Sequence, residues 1–178
     1  MSAPMNAVFA TLYPNQFGYR VLLLGHLLFV IIGFGSTFVW PVMGSQAGRR
    51  PGEGGLALSE FATRYSTYFT TYAIYAAGAF GFVLAIAGGR LDEMWAQLAL
   101  GVYLVAIVFA ALVHVPNLKK MDELAHQLAA GPPPGSATGG PPPQVAEMGT
   151  RSKAAARNGG ILHLAFAVLL ILMIWQPT

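Results

Sequence analysis

Three histidines lie inside long apolar stretches of the sequence, where an ionisable side chain is costly. They are His26, His114 and His163. A titratable residue in such a segment is by default a candidate for function, because hydrocarbon disfavours it unless a partner compensates. Neutral imidazoles from facing helices could ligate a b-type haem axially. The structural alternative is that each ring makes a hydrogen bond between helices.

The elements that must position these histidines are membrane-spanning helices. The chain has 178 residues, of which 55% are hydrophobic and 10% charged, and its mean hydropathy is +0.56. Its apolar residues form runs of about 20 residues, the length that crosses a bilayer as a helix. Four spans are predicted, at residues 19–40, 68–87, 95–115 and 160–175. We therefore expect an all-α fold, a single membrane domain over residues 1–178 built as an antiparallel bundle of four transmembrane helices.

Composition also excludes several classes of function. Zero cysteines exclude disulfides, thiol catalysis and zinc–thiolate sites. The net charge of +3 does not indicate nucleic-acid binding, because the basic residues sit between the apolar runs. No charged residue lies deep in a span, as ion transport would favour. The bilayer itself is the expected partner.

The basic residues set the expected orientation. Two connections, 41–67 and 116–159, fall on one side of the membrane and hold eight of them, against Arg20 and Arg90 on the other side. Because cytoplasmic loops are enriched in lysine and arginine, we expect a multi-pass protein of the bacterial inner membrane with both termini extracytoplasmic. The eight residues are Arg49, Arg50, Arg64, Lys119, Lys120, Arg151, Lys153 and Arg157.

A cleaved signal peptide is the alternative interpretation of the first span. Its apolar run exceeds the roughly 7–15 residues typical of a signal, and the residues before it contain no lysine or arginine. The sequence therefore favours a retained span.

Depth relates the histidines to one another. The third helix reaches His114 just before Pro116, and the fourth reaches His163 soon after Asn158. Their imidazoles are therefore expected at similar depth on the cytoplasmic side, whereas His26 lies about two turns into the first helix from the outer side.

The second span carries two stripes with helical spacing. Tyrosines face one side in its cytoplasmic half, and Tyr68 and Tyr72 are candidates to line a polar cavity or a quinone-headgroup site. The alternative is interfacial tyrosines with interhelical hydrogen bonds. Small residues recur every four positions and predict close helix packing, through which a membrane-protein partner or a second copy could also bind. They are Ala73, Ala77, Gly81 and Ala85.

Two connecting segments have distinct characters. Residues 131–143, GPPPGSATGGPPP, predict a flexible cytoplasmic tether, because proline and glycine disfavour regular structure. Residues 118–130 are weakly amphipathic and are expected either to extend the third helix past Pro116 or to lie along the interface. His126, within them, is expected to be solvated.

Short motifs in the first and last helices resemble a known frame. His26, Gly35 and Pro41 have the spacing H-x8-G-x5-P, and the last helix ends LLILMIWQP. This frame resembles a group of bacterial four-helix membrane proteins: the family catalogued as domain of unknown function 2269, the copper-resistance membrane proteins and the haem-containing bacterial protoporphyrinogen oxidases. The resemblance covers most of the helical core. It implies a four-helix scaffold and, from the oxidases, haem ligation by the first-helix histidine, which falls on His26.

Other motifs of those oxidases are missing. The enzymes carry a lysine in the third helix and an asparagine–glutamate pair entering the fourth. This chain has no lysine between Trp95 and Val115, and Asn158 is followed by Gly159. The resemblance therefore carries over the scaffold and His26, but not the oxidase activity.

Two function classes follow from the sequence. The first is a non-catalytic accessory or assembly subunit that packs against other membrane components. The second is a haem b-binding or quinone-linked redox module that uses His26, His114 and His163, with Tyr68 and Tyr72 nearby. No constellation of residues specifies a reaction, which favours the first class and leaves open whether the chain is an enzyme.

Overall fold

The computed structural model describes residues 17–50, 52–131 and 142–177, and these residues are almost entirely helical. Helix α1 covers Phe17–Gly48. Helix α2, Glu53–Tyr65, continues through a π-helical turn, Ser66–Thr70, into α3, Thr71–Ala87. Helix α4, Met94–Phe109, continues through a second π-helical turn, Ala110–His114, into α5, Val115–Ala129. Helix α6 covers Pro143–Trp175.

These segments make four long helical rods, each apolar enough to cross a membrane: Phe17–Gly48, Glu53–Ala87, Met94–Ala129 and Pro143–Trp175. The predicted all-α class and four-helix arrangement are thus confirmed, and the protein is a multi-pass membrane protein. Ten of the thirteen residues of the predicted tether, 132–141, lie outside the described residues.

The rods are longer than the predicted spans. At 1.5 Å per residue, the 36-residue rod Met94–Ala129 is about 54 Å long, well beyond the ~30 Å of bilayer hydrocarbon. The excess lies at one end of the bundle, where α2, α5 and the first half of α6 project as helices. We call this the extended end. Residues 118–130 thus extend the third helix, which decides between the two alternatives given above.

The extended end has a small core of its own. Ala47, Ala62 and Leu124, from α1, α2 and α5, are buried there, and Leu124 is only 2% exposed. Gly55 lies in the first turn of α2, close to the connection from α1, and a Cβ there would come within 2.1 Å of the Arg50 carbonyl oxygen. Burial of this apolar cluster stabilises the projecting helices outside hydrocarbon.

The rods associate in two pairs. Helix α1 packs along α3 and α2, and α4 and α5 pack along α6, whereas α3 and α4 have few contacts although only a short turn joins them. Gly89 allows that turn through a positive φ of 65°. At the same end Arg90 donates a hydrogen bond to Gln176 at the end of α6, over 3.0 Å. The pairs meet through α2 with α5 and through side chains of α1 and α6.

The small-residue stripe forms the contact between α1 and α3. Ala73 and Ala77 are buried, and a Cβ on Gly33 of α1 would lie 3.2 Å from the Ile74 backbone nitrogen. The predicted close packing is therefore found within the chain itself. Use of this stripe by a partner or a second copy stays a prediction.

Candidate functional site

His26 is buried between α1 and α3, with 8% of its surface exposed. Its Nδ1 lies 2.8 Å from the Ala77 carbonyl oxygen. A carbonyl only accepts, so Nδ1 carries the proton and donates it, which leaves the lone pair of the neutral ring on Nε2. Gly81 makes room for the ring, since a Cβ there would lie 2.9 Å from His26 Cε1. The imidazole thus joins α1 to α3.

His163 joins α6 to α1. Its Nδ1 donates to the Gly159 carbonyl one turn earlier, over 2.8 Å, and its Nε2 lies 2.9 Å from the Thr37 hydroxyl. The Thr37 hydroxyl also lies 2.7 Å from the Phe34 carbonyl oxygen, so its single hydrogen serves either that carbonyl or the lone pair of His163 Nε2. Phe38 packs against the same imidazole, with 4.6 Å between ring centroids. Both ring nitrogens of His163 therefore have partners within the protein.

His114 ends the second π-helical turn, which packs against α6. That packing brings His114 and His163 onto facing segments. Their side chains do not hydrogen-bond to each other in the described residues, and the buried Nδ1 of His114 has no partner there. Pro116 explains the turn: it lacks an amide hydrogen and its ring crowds the carbonyl four residues earlier, which a wider π-helical turn relieves.

A hydroxyl network that the sequence analysis did not identify joins α1 to the first π-helical turn. Thr70, which is 6% exposed, accepts a hydrogen bond from Trp40 Nε1 over 2.7 Å. Its hydroxyl also lies 2.7 Å from that of Ser36, which in turn donates to the Gly33 carbonyl. All three polar groups are satisfied when Thr70 donates to Ser36. The sequence signal was polar residues at helical spacing in an apolar helix.

Tyr103 makes a further contact between helices that the sequence analysis did not identify. Its hydroxyl donates to the Ile74 carbonyl over 3.1 Å and so joins α4 to α3. Gly78 leaves the space for that ring, because a Cβ there would lie 1.9 Å from the Tyr103 oxygen. A glycine and a tyrosine on two apolar helices give no sequence signal that they meet.

A cleft of about 840 Å³ lies between the second and third rods, at the border of the extended end. We call it the tyrosine cleft. Tyr65, Tyr68 and Tyr72 line one wall, and Tyr68 and Tyr72 are 55% and 67% exposed. Tyr75 continues the stripe outside the lining. Tyr68 and Tyr72 therefore line a cleft, and their role in binding a ligand stays a prediction.

Charged side chains complete the lining of the tyrosine cleft. Glu60 comes from α2, and Asp122 and His126 from α5. His126 Nε2 lies 3.3 Å from Glu60 and 4.0 Å from Asp122, so this half-exposed ring, expected to be solvated, contacts two carboxylates. Burial raises the pKa of the Asp122 carboxyl above its usual range. Its Oδ1 is buried without a hydrogen-bond partner among the described residues.

The three histidines expected to ligate a haem lie in different surroundings. Both nitrogens of His163 have partners, His26 uses Nδ1, and the buried Nδ1 of His114 has no partner among the described residues. Neither the tyrosine cleft nor the second, apolar cavity, about 450 Å³ between α4 and α6, is lined by His26, His114 or His163. No group of three metal-ligating side chains occurs in residues 17–50, 52–131 and 142–177. Haem binding stays a prediction.

Known proteins add no further constraint. No family model, curated protein or solved structure matches the chain. The resemblance to bacterial four-helix membrane families, drawn above from short motifs, therefore stays an expectation.

Proposed function

We propose that the protein is a non-catalytic accessory or assembly subunit of a bacterial inner membrane, which packs against other membrane components. On this proposal the extended end faces the cytoplasm, in accord with its excess of lysine and arginine. Both termini then lie outside.

One observation carries the proposal: apart from His114, whose buried Nδ1 has no partner in the described residues, the intramembrane residues best able to do chemistry hold helices together. His26 bonds α1 to α3, His163 bonds α6 to α1, and Tyr103 bonds α4 to α3. Each contact satisfies a polar group that hydrocarbon would leave unsolvated, at a value of about 1 kcal/mol per bond. A scaffold that uses its polar groups in this way has few left for a reaction.

A redox module remains the second candidate, and one observation favours it. The Nδ1 of His26 donates to a backbone carbonyl, as metal-ligating histidines commonly do, and leaves Nε2 available. The ring would bind iron through Nε2, provided α1 and α3 separated enough at Gly81 to admit a macrocycle. For a quinone, Tyr68 and Tyr72 in the tyrosine cleft would offer hydroxyl donors to its carbonyl oxygens.

Visible spectroscopy separates the two candidates. The full chain is purified in mild detergent from its own membranes and then titrated with haemin. We expect no stoichiometric Soret band before titration and no saturable one-to-one binding after it. As a matched control, His126→Ala removes a histidine outside the apolar spans. A stoichiometric band lost in His26→Ala or His114→Ala, but kept in His126→Ala, would contradict the accessory role.

Native electrophoresis of the same membrane extract supplies the positive arm. An accessory subunit is expected to migrate in an assembly larger than the purified chain in its micelle. Migration at the size of the purified chain would count against the proposal, whatever the spectrum shows.

A further inference from the structure

The tyrosine cleft combines three kinds of side chain that a single ligand could satisfy. It has aromatic rings at Tyr68 and Tyr72, and carboxylates at Glu60 and Asp122. It also has two cations, Arg64 and Lys119, neither of which has a carboxylate within 4 Å in the described part of the chain. Such a lining differs from an apolar groove, in which only hydrophobic contact could select a ligand.

Depth indicates what kind of molecule reaches the cleft. Tyr68 and Tyr72 begin the second apolar span, whereas Lys119 and Asp122 lie just beyond Pro116 at the end of the third. Tyrosine rings and snorkelling lysines are typical of the membrane–water boundary. The cleft therefore sits at the level of lipid headgroups, and its exposed tyrosine wall faces the bilayer.

The backbone at the cleft also departs from a regular helix. Three of the five residues in the first π-helical turn, Thr67, Tyr68 and Phe69, line it. Such turns redirect side chains and occur frequently at functional sites. Two buried polar atoms on the lining residues, Thr67 Oγ1 and Asp122 Oδ1, have no partner among the described residues. Unpartnered buried polar atoms are uncommon in native proteins and indicate a missing partner.

From this geometry we propose that the tyrosine cleft binds the headgroup of an amine-bearing zwitterionic phospholipid. The primary ammonium group lies against Tyr68 or Tyr72 and donates hydrogen bonds to Asp122 and Glu60. The phosphate lies between Arg64 and Lys119, and the acyl chains leave over Tyr72 into the bilayer.

The chemistry of the lining favours this ligand over other lipids. A cation over an aromatic face is stabilised, and more so where water is excluded. Ammonium–carboxylate hydrogen bonds are charge-assisted and need N–H donors, which a quaternary ammonium lacks. An anionic lipid without an amine would place only its phosphate and leave Glu60 and Asp122 with His126 alone as a basic neighbour. The volume of about 840 Å³ lies within the range usual for small-molecule sites.

Native mass spectrometry of the full chain in detergent tests the proposal. Phosphatidylethanolamine, phosphatidylcholine and phosphatidylglycerol with identical acyl chains are added separately. We expect one phosphatidylethanolamine to be retained, about tenfold more tightly than phosphatidylglycerol, because charged hydrogen bonds are lost with the latter. Equal retention of all three lipids would overturn the proposal, as would tighter binding of phosphatidylglycerol or displacement by an equimolar short-chain quinone.

Paired variants identify the two halves of the site. Asp122→Asn is expected to abolish the preference for phosphatidylethanolamine, whereas Glu123→Gln, one residue away and paired with Lys120 outside the cleft, should leave it unchanged. Lys119→Gln should weaken the binding of phosphatidylethanolamine and phosphatidylglycerol by the same factor. Lys120→Gln is its control. If Asp122→Asn behaves like Glu123→Gln, the assignment of the ammonium site is wrong. The accessory role is tested independently by haem content and native size.

Discussion

Replacing Gly78 with alanine is expected to lower the free energy of unfolding by about 2–4 kcal/mol. The added Cβ would lie 1.9 Å from the Tyr103 oxygen and 2.1 Å from its Cζ, so the ring must move. That movement breaks the hydrogen bond to the Ile74 carbonyl, worth about 1 kcal/mol, and adds the cost of overpacking, about 1–3 kcal/mol. Unfolding of the purified chain by SDS in mixed micelles measures the difference.

Gly101→Ala is the matched control for this prediction. Gly101 also lies in a membrane helix, α4, but a Cβ there would meet nothing within 4 Å. Since alanine favours helix over glycine by about 1 kcal/mol, the control should be neutral or slightly stabilising. The double variant Gly78→Ala with Tyr103→Ala should be no less stable than Tyr103→Ala alone, because the clash is then absent. If Gly78→Ala were as stable as Gly101→Ala, the close contact of Gly78 with Tyr103 would be contradicted.

Replacing His26 with alanine is expected to cost about 2–4 kcal/mol of unfolding free energy. The variant removes the hydrogen bond to the Ala77 carbonyl and leaves a cavity over Gly81, in a site that is 8% exposed. Because α1 packs more extensively against α3 than against any other helix, the loss falls on the main helix pair of the bundle. The same SDS titration measures it.

His26→Asn makes the result specific to the proposed role. The asparagine amide can donate where Nδ1 does, so this variant should lose less than half as much stability as His26→Ala. A haem ligand shows the opposite pattern, since asparagine would restore neither iron binding nor the stability that a bound cofactor supplies. Equal losses in both variants would contradict a hydrogen-bonding role for His26.

The architecture of single helices could be predicted from the sequence, but their pairing could not. Length and hydropathy identify a span because the bilayer imposes both. Every rod nevertheless presents apolar residues on all sides, so nothing in the pattern says that α1 packs on α3, or α4 on α6. Shape decides the pairing: His26 fits over Gly81, and the Tyr103 ring fits over Gly78. The small-residue stripe predicted close packing correctly, because small side chains themselves make the flat surface that lets another helix approach.

The projecting helices show a second reason for the difference. A span predicted from hydropathy ends where charged residues begin, as at Lys119. The helix itself continues to Ala129, because no glycine or proline interrupts the sequence between Pro116 and Gly131. The segment before Gly160 is likewise helical from Pro143. The predicted spans therefore end before the helices do, because a change in hydropathy does not by itself end a helix.

The candidate sites were predicted in part. The tyrosine stripe gave the position of the cleft, since hydroxyls in an apolar helix need a polar neighbour. Its opposite wall came from α5, whose packing against α2 brings His126 to Glu60 across distant parts of the sequence. Such a contact depends on the tertiary arrangement and leaves no local pattern. The turn that ends at His114 packs against the helix that carries His163, but the His163 ring bonds to Thr37 of α1. The matched depth of the two histidines stays a prediction.

The central claim is that His26 and His163 hold helices together and bind no cofactor. Nitrogen-15 NMR of the full chain, labelled at histidine in lipid bilayers and assigned with His26→Asn, tests it most directly. We predict a neutral His26 with a protonated Nδ1 and an unprotonated Nε2, and signals that do not change on addition of equimolar haemin. A proton on Nε2 instead, or loss of the His26 signals through paramagnetic broadening by haemin, would contradict the claim.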